Sequence, residues 1–123
     1  MGESAMIKTR RIYETPKPSE GFRVLVDRLW PRGVSKEKAG FDLWLRDVAP
    51  SDALRKWFAH DPKRWATFQR KYRQELKGKK ELLRQIKGLE KEHGTLTLLY
   101  SAKDDKHCNA AALRLLLRGA RRA

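Results

Sequence analysis

A chain of 123 residues has the length of one ordinary domain, enough to bury one core and too little for two. Lys and Arg number 29 against 15 Asp and Glu, a formal net charge of +14, while 40% of residues are hydrophobic. The apolar residues recur in periodic blocks, which excludes a disordered chain, and no run approaches the roughly 18 apolar residues of a membrane helix. The opening Met1–Met6 lacks the apolar centre of a secretory signal, and the one cysteine, Cys108, excludes a disulfide within the chain. A cytoplasmic protein with no membrane partner is expected.

In chain order, Met6–Ile12 mixes apolar and basic residues as a first strand, of open orientation, before a loop containing Pro16, Pro18 and Gly21. Phe22–Asp27 is an apolar run bounded by Gly21 and Pro31, which predicts a strand buried on both faces. Ser51 is a candidate N-cap for a short helix carrying Leu54, Trp57 and Phe58 on one face. Asp61-Pro62 opens the next helix, whose stripe of Trp65, Phe68, Tyr72 and Leu76 stops before Gly78. Leu82, Leu83, Ile86 and Leu89 predict a third helix, ended by Gly94 ahead of a second central strand, Thr95–Tyr100. Asn109 is expected to cap a last helix through Ala110, Leu113, Leu116 and Leu117, stopped by Gly119. Residues 1–5 and 120–123 are expected to fray.

Strand, helical crossover, strand and helix form the βαβ pattern. The expected fold is therefore one α/β domain over residues 1–123. A small, mainly parallel sheet of about three strands has helices packed around it. The crossover between the two central strands is long, running from Arg28 to Gly94, and can shelter a pocket.

In open α/β sheets the ligand crevice lies beyond the carboxyl ends of the strands. Asp27-Arg28-Leu29-Trp30-Pro31-Arg32-Gly33 leaves one strand there, and Tyr100-Ser101-Ala102-Lys103-Asp104 leaves the other, on the way to Asn109. Arg28 and Arg32 present planar forks suited to phosphate or carboxylate, and Trp30 presents a flat face for a base or sugar. Asp27 and Asp104 are the candidate bases, and if close they would perturb each other's proton affinity. The competing structural account is that Arg, Asp and Trp staple a long loop onto the sheet. Trp44, Trp57 and Trp65, beside Phe58 and Phe68, are expected in the core.

His60, His93, His107 and Cys108 lack the short paired spacings of zinc sites, so no metal is expected. His60-Asp61 has the form of a base with its orienting carboxylate, but Asp61 is wanted as a cap. A Gly-rich phosphate loop, a GxSxG elbow, an HExxH helix and the familiar helix-turn-helix and zinc-finger signatures are all absent, and no cofactor is expected. Basic residues are densest from Lys63 to Lys80, where Lys63, Arg64, Arg70, Lys71, Arg73 and Lys77 face Glu75 as the only acid. Two partner classes follow. One is a phosphate-bearing, nucleotide-like molecule held by Asp27, Arg28, Trp30, Arg32, Tyr100, Asp104 and Asn109; the other is a nucleic acid held by the basic helix face. A small hydrolase or transferase using Asp27 or Asp104 as base is a third expectation.

Several blocks now point to one family. Val26-Asp27-Arg28-Leu29-Trp30-Pro31-Arg32-Gly33, Ala49-Pro50-Ser51, Leu54-Arg55 with Trp57-Phe58, His60-Asp61-Pro62, Arg64-Trp65 and Thr97-Leu98-Leu99-Tyr100 resemble the YeaO-like branch of domain-of-unknown-function family 488. The resemblance covers Ile7–Leu117 and implies a small bacterial or archaeal cytoplasmic α/β protein. It brings no catalytic residues with it. His107-Cys108-Asn109 stands where the resemblance suggests His-Asn-Asn, which makes Cys108 a poor candidate for an essential nucleophile.

Overall fold

A computed structural model of the chain describes residues 6–35, 37–38 and 40–120, the last two by backbone alone. The stretches 1–5 and 121–123, expected to fray, lie outside the described residues. Ala120, also expected to fray, still belongs to the last helix.

Six consecutive residues rich in Leu and Thr make the strand β4 (Thr95–Tyr100), buried from Leu96 to Tyr100 as a central parallel strand must be. It lies between β1 (Met6–Arg11) and β2 (Phe22–Leu25), and β3 (Leu43–Trp44) adds an edge, giving the order β1-β4-β2-β3. Every pairing is parallel, with Met6 opposite Thr95, Phe22 opposite Leu96 and Val24 opposite Leu43. The sheet thus has a parallel centre made of the two expected strands. The two-residue strand β3 was too short to show a period and enters as a fourth member inside the crossover. The run expected as a strand to Asp27 ends its ladder at Leu25, although Val26 N still donates to the Leu99 carbonyl at 3.1 Å.

Alternation along the strands sorts their side chains. Ile7, Val24, Leu96, Leu98 and Tyr100 share one face and one core with Leu54 and Phe58 of α1 (Asp52–Phe58). The same core takes Phe68, Tyr72 and Leu76 from α2 (Trp65–Leu76), Ile86 from α3 (Lys80–His93), and Leu113 and Leu117 from α4 (Asn109–Ala120). The opposite face carries Ile12, Leu25 and Leu99 under Phe41 and Trp44. Beside them the buried Glu20 forms an ion pair with the half-buried Arg10, Nε at 2.6 Å, and accepts a hydrogen bond from the buried Arg23 Nε at 2.8 Å, so its charge is compensated.

The helix ends follow the capping chemistry in part. Ser51 Oγ accepts from Leu54 N at 3.1 Å, as a cap should. Asp61 accepts from Lys63 N at 3.0 Å, but it caps a 3₁₀ turn (Pro62–Arg64), and α2 begins only at Trp65. Asn109 does not cap α4. It is the first helical residue, Cys108 supplies the first carbonyl to Ala112 N, and the Asn109 amide donates to the Val26 carbonyl at 2.8 Å. Gly119 does not stop α4, which continues to Ala120. Among the described residues no helix is long and apolar enough to cross a membrane.

Candidate functional site

Because β2 and β4 are parallel neighbours, their carboxyl ends emerge side by side and their following loops face one another. Between them opens a cleft of about 900 Å³, at the upper end of the range for small-molecule sites. Of the residues expected to handle a ligand, Asp27, Arg28, Trp30, Arg32, Asp104 and Asn109 line it. Tyr100 does not. It shares the face of Leu96 and Leu98 inside the core, where it is 3% exposed, and burial pushes its phenol up to about 12.

Asp27 sits at the floor. Its Oδ2 accepts from Ser101 N at 2.9 Å and Ser101 Oγ at 2.8 Å. Burial raises its proton affinity above the ordinary carboxylate value, opposed by the Ser101 hydrogen bonds, the Asn109 amide and the His60 charge. Asp104 is different: its Oδ2 lies 2.9 Å from His107 Nδ1, and its Oδ1 accepts from the backbones of Lys106 and His107. These bonds, that to His107 first, hold its carboxyl below the ordinary value. Burial aside, the main influences on the two carboxyls are separate, Ser101 and Asn109 acting on Asp27, His107 and Lys106 on Asp104. Asp104 serves as the cap of its own turn.

The two expected guanidinium groups divide the two accounts between them. Arg28 donates from Nε to the Pro50 carbonyl at 2.9 Å and from Nη2 to the Ala49 carbonyl at 3.2 Å, stapling the entry to α1 against the strand end. Arg32 is exposed, and among the described residues its side chain makes no hydrogen bond or ion pair. The Arg32 backbone is held by Tyr13, whose hydroxyl donates to its carbonyl at 2.9 Å. Trp30 donates to the Val34 carbonyl and meets Phe41 and Trp44 edge-on, each at 5.5 Å, so it anchors its loop while lining the cleft.

Several lining residues were not foreseen. Arg11 ends β1 opposite Tyr100 and donates from Nε to the Ser101 and Ala102 carbonyls at 3.2 and 3.0 Å. The strand-end rule applied to Met6–Ile12 would have found it. Ser101 and Lys103 were passed over between Tyr100 and Asp104, and Phe58, Phe68 and Cys108 form part of the wall. His60 also lines the cleft, and it follows Ala59 in a rare pair of non-glycine residues with positive φ, 47° and 57°. Asp61 does not orient it, being occupied with Lys63 N and, at 3.7 Å, Arg64 Nε.

The basic face lies elsewhere. Lys63, Arg64, Arg70, Lys71, Arg73 and Lys77 are all exposed, and none lines the cleft. Glu75, the acid among them, turns away: its two oxygens accept from Ser51 N at 2.9 Å and Ser51 Oγ at 2.5 Å. Trp57, expected in the core, is 36% exposed beneath the Arg64 and Lys71 cations, each 5.1 Å from its ring. Trp44 and Trp65 pack against the two cores as expected. Among the described residues, no group of three or more His, Cys, Asp and Glu is placed to hold a metal ion. His93 stacks on Phe22 at 4.3 Å, and His107 meets Trp65 edge-on at 5.3 Å.

Residues 6–122 match a family model described as the inactive DUF488-N3 subclade. The chain is 38% identical over 112 residues to uncharacterized protein YeaO of Escherichia coli, covering 91% of this chain and 96% of that one. It is 36% identical over 121 residues to uncharacterized protein Rv3073c of Mycobacterium tuberculosis, covering 97% and 99%. No solved structure matches it. With a family match over nearly its whole length and relatives covered almost end to end, the chain belongs to domain-of-unknown-function family 488, among the YeaO-like proteins.

Proposed function

We propose that the chain binds a phosphate-bearing, nucleotide-like small molecule in the cleft beyond β2 and β4. One observation carries the reading: Arg11, Arg28, Arg32 and Lys103 line this cleft, and among the described residues none of the four pairs with a carboxylate. Cations without counter-charges in a concave site create a field that attracts anions, and guanidinium forks match phosphate oxygens. Trp30 and the hydrogen-bonding floor of Asp27, Ser101 and Asn109 suit a ring and its hydroxyls. The subclade's description as inactive supports binding over turnover, with Asp27 positioning a hydroxyl. The reducing cytoplasm suits the free thiol of Cys108. Calorimetric titration of a nucleotide panel tests the proposal. Binding should weaken about tenfold in Arg32→Ala, the value of one charge-assisted contact, and silence from the whole panel overturns it.

A second reading rests on the way Glu75 turns toward Ser51, which leaves six exposed cations from Lys63 to Lys77 with Asp61, 3.7 Å from Arg64 Nε, as the acid beside them. It makes that face a nucleic-acid interface. Duplex DNA followed by fluorescence anisotropy should then show a log-log salt slope near about −0.9 per phosphate contact, and a flat dependence rejects it. Turnover by an Asp base would appear in an activity screen as a rate abolished by Asp27→Asn or Asp104→Asn.

A further inference from the structure

The residues around the cleft sort by depth. Phe58, Phe68, Ala49 and Cys108 line it while being 5%, 2%, 1% and 2% exposed, and so make an apolar inner wall. Half-buried Asp27, Ser101 and Asn109 form the polar floor. Arg32, Arg55 and Lys103 stand exposed at the mouth, Arg55 pairing with Asp52 at 3.2 Å and the other two carrying no partner among the described residues. Arg28 and Arg11, further in, are already engaged with the carbonyls of Ala49, Pro50, Ser101 and Ala102.

A phosphate group pushed to the floor would lose water against an apolar wall and come to rest beside the Asp27 carboxyl, where like charge opposes it. An uncharged ring with hydroxyls has the opposite preference. It buries flat apolar surface against Phe58 and Phe68 and exchanges hydrogen bonds with Asp27, Ser101 and Asn109, at no cost in desolvated charge. Phosphates fit where cations are unengaged and water is at hand.

Resting on the reading of this cleft as an anion site, we infer that the ligand enters body first: a nucleoside seated on the Asp27, Ser101 and Asn109 floor against Phe58 and Phe68, its 5′-phosphate at the mouth on Arg32 and Lys103. Recognition then belongs to the nucleoside, and the phosphate adds affinity without specifying the base or sugar.

The test titrates the four common ribonucleosides, their 5′-monophosphates and inorganic pyrophosphate into the wild-type chain and an Arg32→Ala/Lys103→Ala double variant. Both substitutions are at exposed positions, so folding is preserved. At least one nucleoside should bind, its monophosphate about a hundredfold more tightly through the two contacts, and the double variant should remove that factor while leaving the nucleoside's own affinity unchanged. Pyrophosphate binding as tightly as the nucleotides, with nucleosides silent, overturns the orientation while the anion site stands. Equal affinity for nucleoside and nucleotide, or equal losses for both in the double variant, also overturns it. Silence from every probe removes the anion site itself.

Discussion

Asp27 Oδ2 takes two hydrogen bonds from Ser101, one from the backbone N–H at 2.9 Å and one from the hydroxyl at 2.8 Å. One carboxylate oxygen thereby joins the residues that follow two adjacent parallel strands and sets the separation of the cleft's walls. The position works against burial, which dominates and raises the carboxyl's proton affinity despite those bonds.

That balance gives a pH signature. The folded-state carboxyl holds its proton more tightly than an unfolded one, whose ordinary value is 3.8. Its stabilising contribution is therefore complete below 3.8 and is lost as pH rises through the higher folded value. Asp27→Asn should melt at a higher temperature than the wild type at pH 7, with the gap closing as pH is lowered toward 3.8. Calorimetric melts across the range check this; a variant less stable at neutral pH than in acid, relative to wild type, would contradict it.

Arg28 works as a clamp, with two nitrogens on the carbonyls of Ala49 and Pro50. A lysine has one nitrogen and cannot reproduce the fork, so Arg28→Lys should cost about 1 kcal/mol in urea unfolding at unchanged m-value. The neighbouring Ser51→Ala removes both the cap on Leu54 N and the hydroxyl bond to Glu75, and should cost about 1–2 kcal/mol by the same measurement.

The contrast between what was readable and what was not follows sequence distance. Phe22–Asp27 and Thr95–Tyr100 are short, mainly apolar runs set off by Gly21, Pro31 and Gly94, and that marks central parallel strands whose far ends build the cleft. Parity along β4 would also have placed Tyr100 inward with Leu96 and Leu98. The Asp104 turn to His107 spans three residues and is local chemistry of a familiar kind. By contrast, the bond from Arg28 to the Ala49 carbonyl reaches across 21 residues, and that from Arg11 to the Ser101 carbonyl across 90. No period or spacing reports such partners. Trp57 defeated the aromatic rule because Arg64 and Lys71 cover its ring, so its burial is by cations rather than by core.

Two glycines separate conformational need from mere tolerance. Gly21 has φ +65°, and an added Cβ would lie 2.2 Å from the Thr95 carbonyl oxygen at the start of β4. Gly88 is helical with nothing within 4 Å of such a Cβ. Gly21→Ala should therefore destabilise by at least about 1–3 kcal/mol, and Gly88→Ala should stabilise by about 0.5–1 kcal/mol, both read from denaturant midpoints.

Burial, which outweighs the nearby amides of Ala110 and Ala111, pushes the Cys108 thiol up to about 11. At neutral pH almost no thiolate is present, so a maleimide should label the native protein slowly and the guanidinium-unfolded protein fast. Rapid labelling of the folded chain would show a reactive cysteine instead.

Strands β1 and β2 do not pair with one another; each pairs with β4. A nascent chain emerging from the ribosome therefore carries β1 with no strand to pair with, and β2 with only the two-residue β3 beside it, until residues 95–100 have been synthesised. Closure of the sheet therefore waits for its central strand, a long-range pairing of the kind that slows folding.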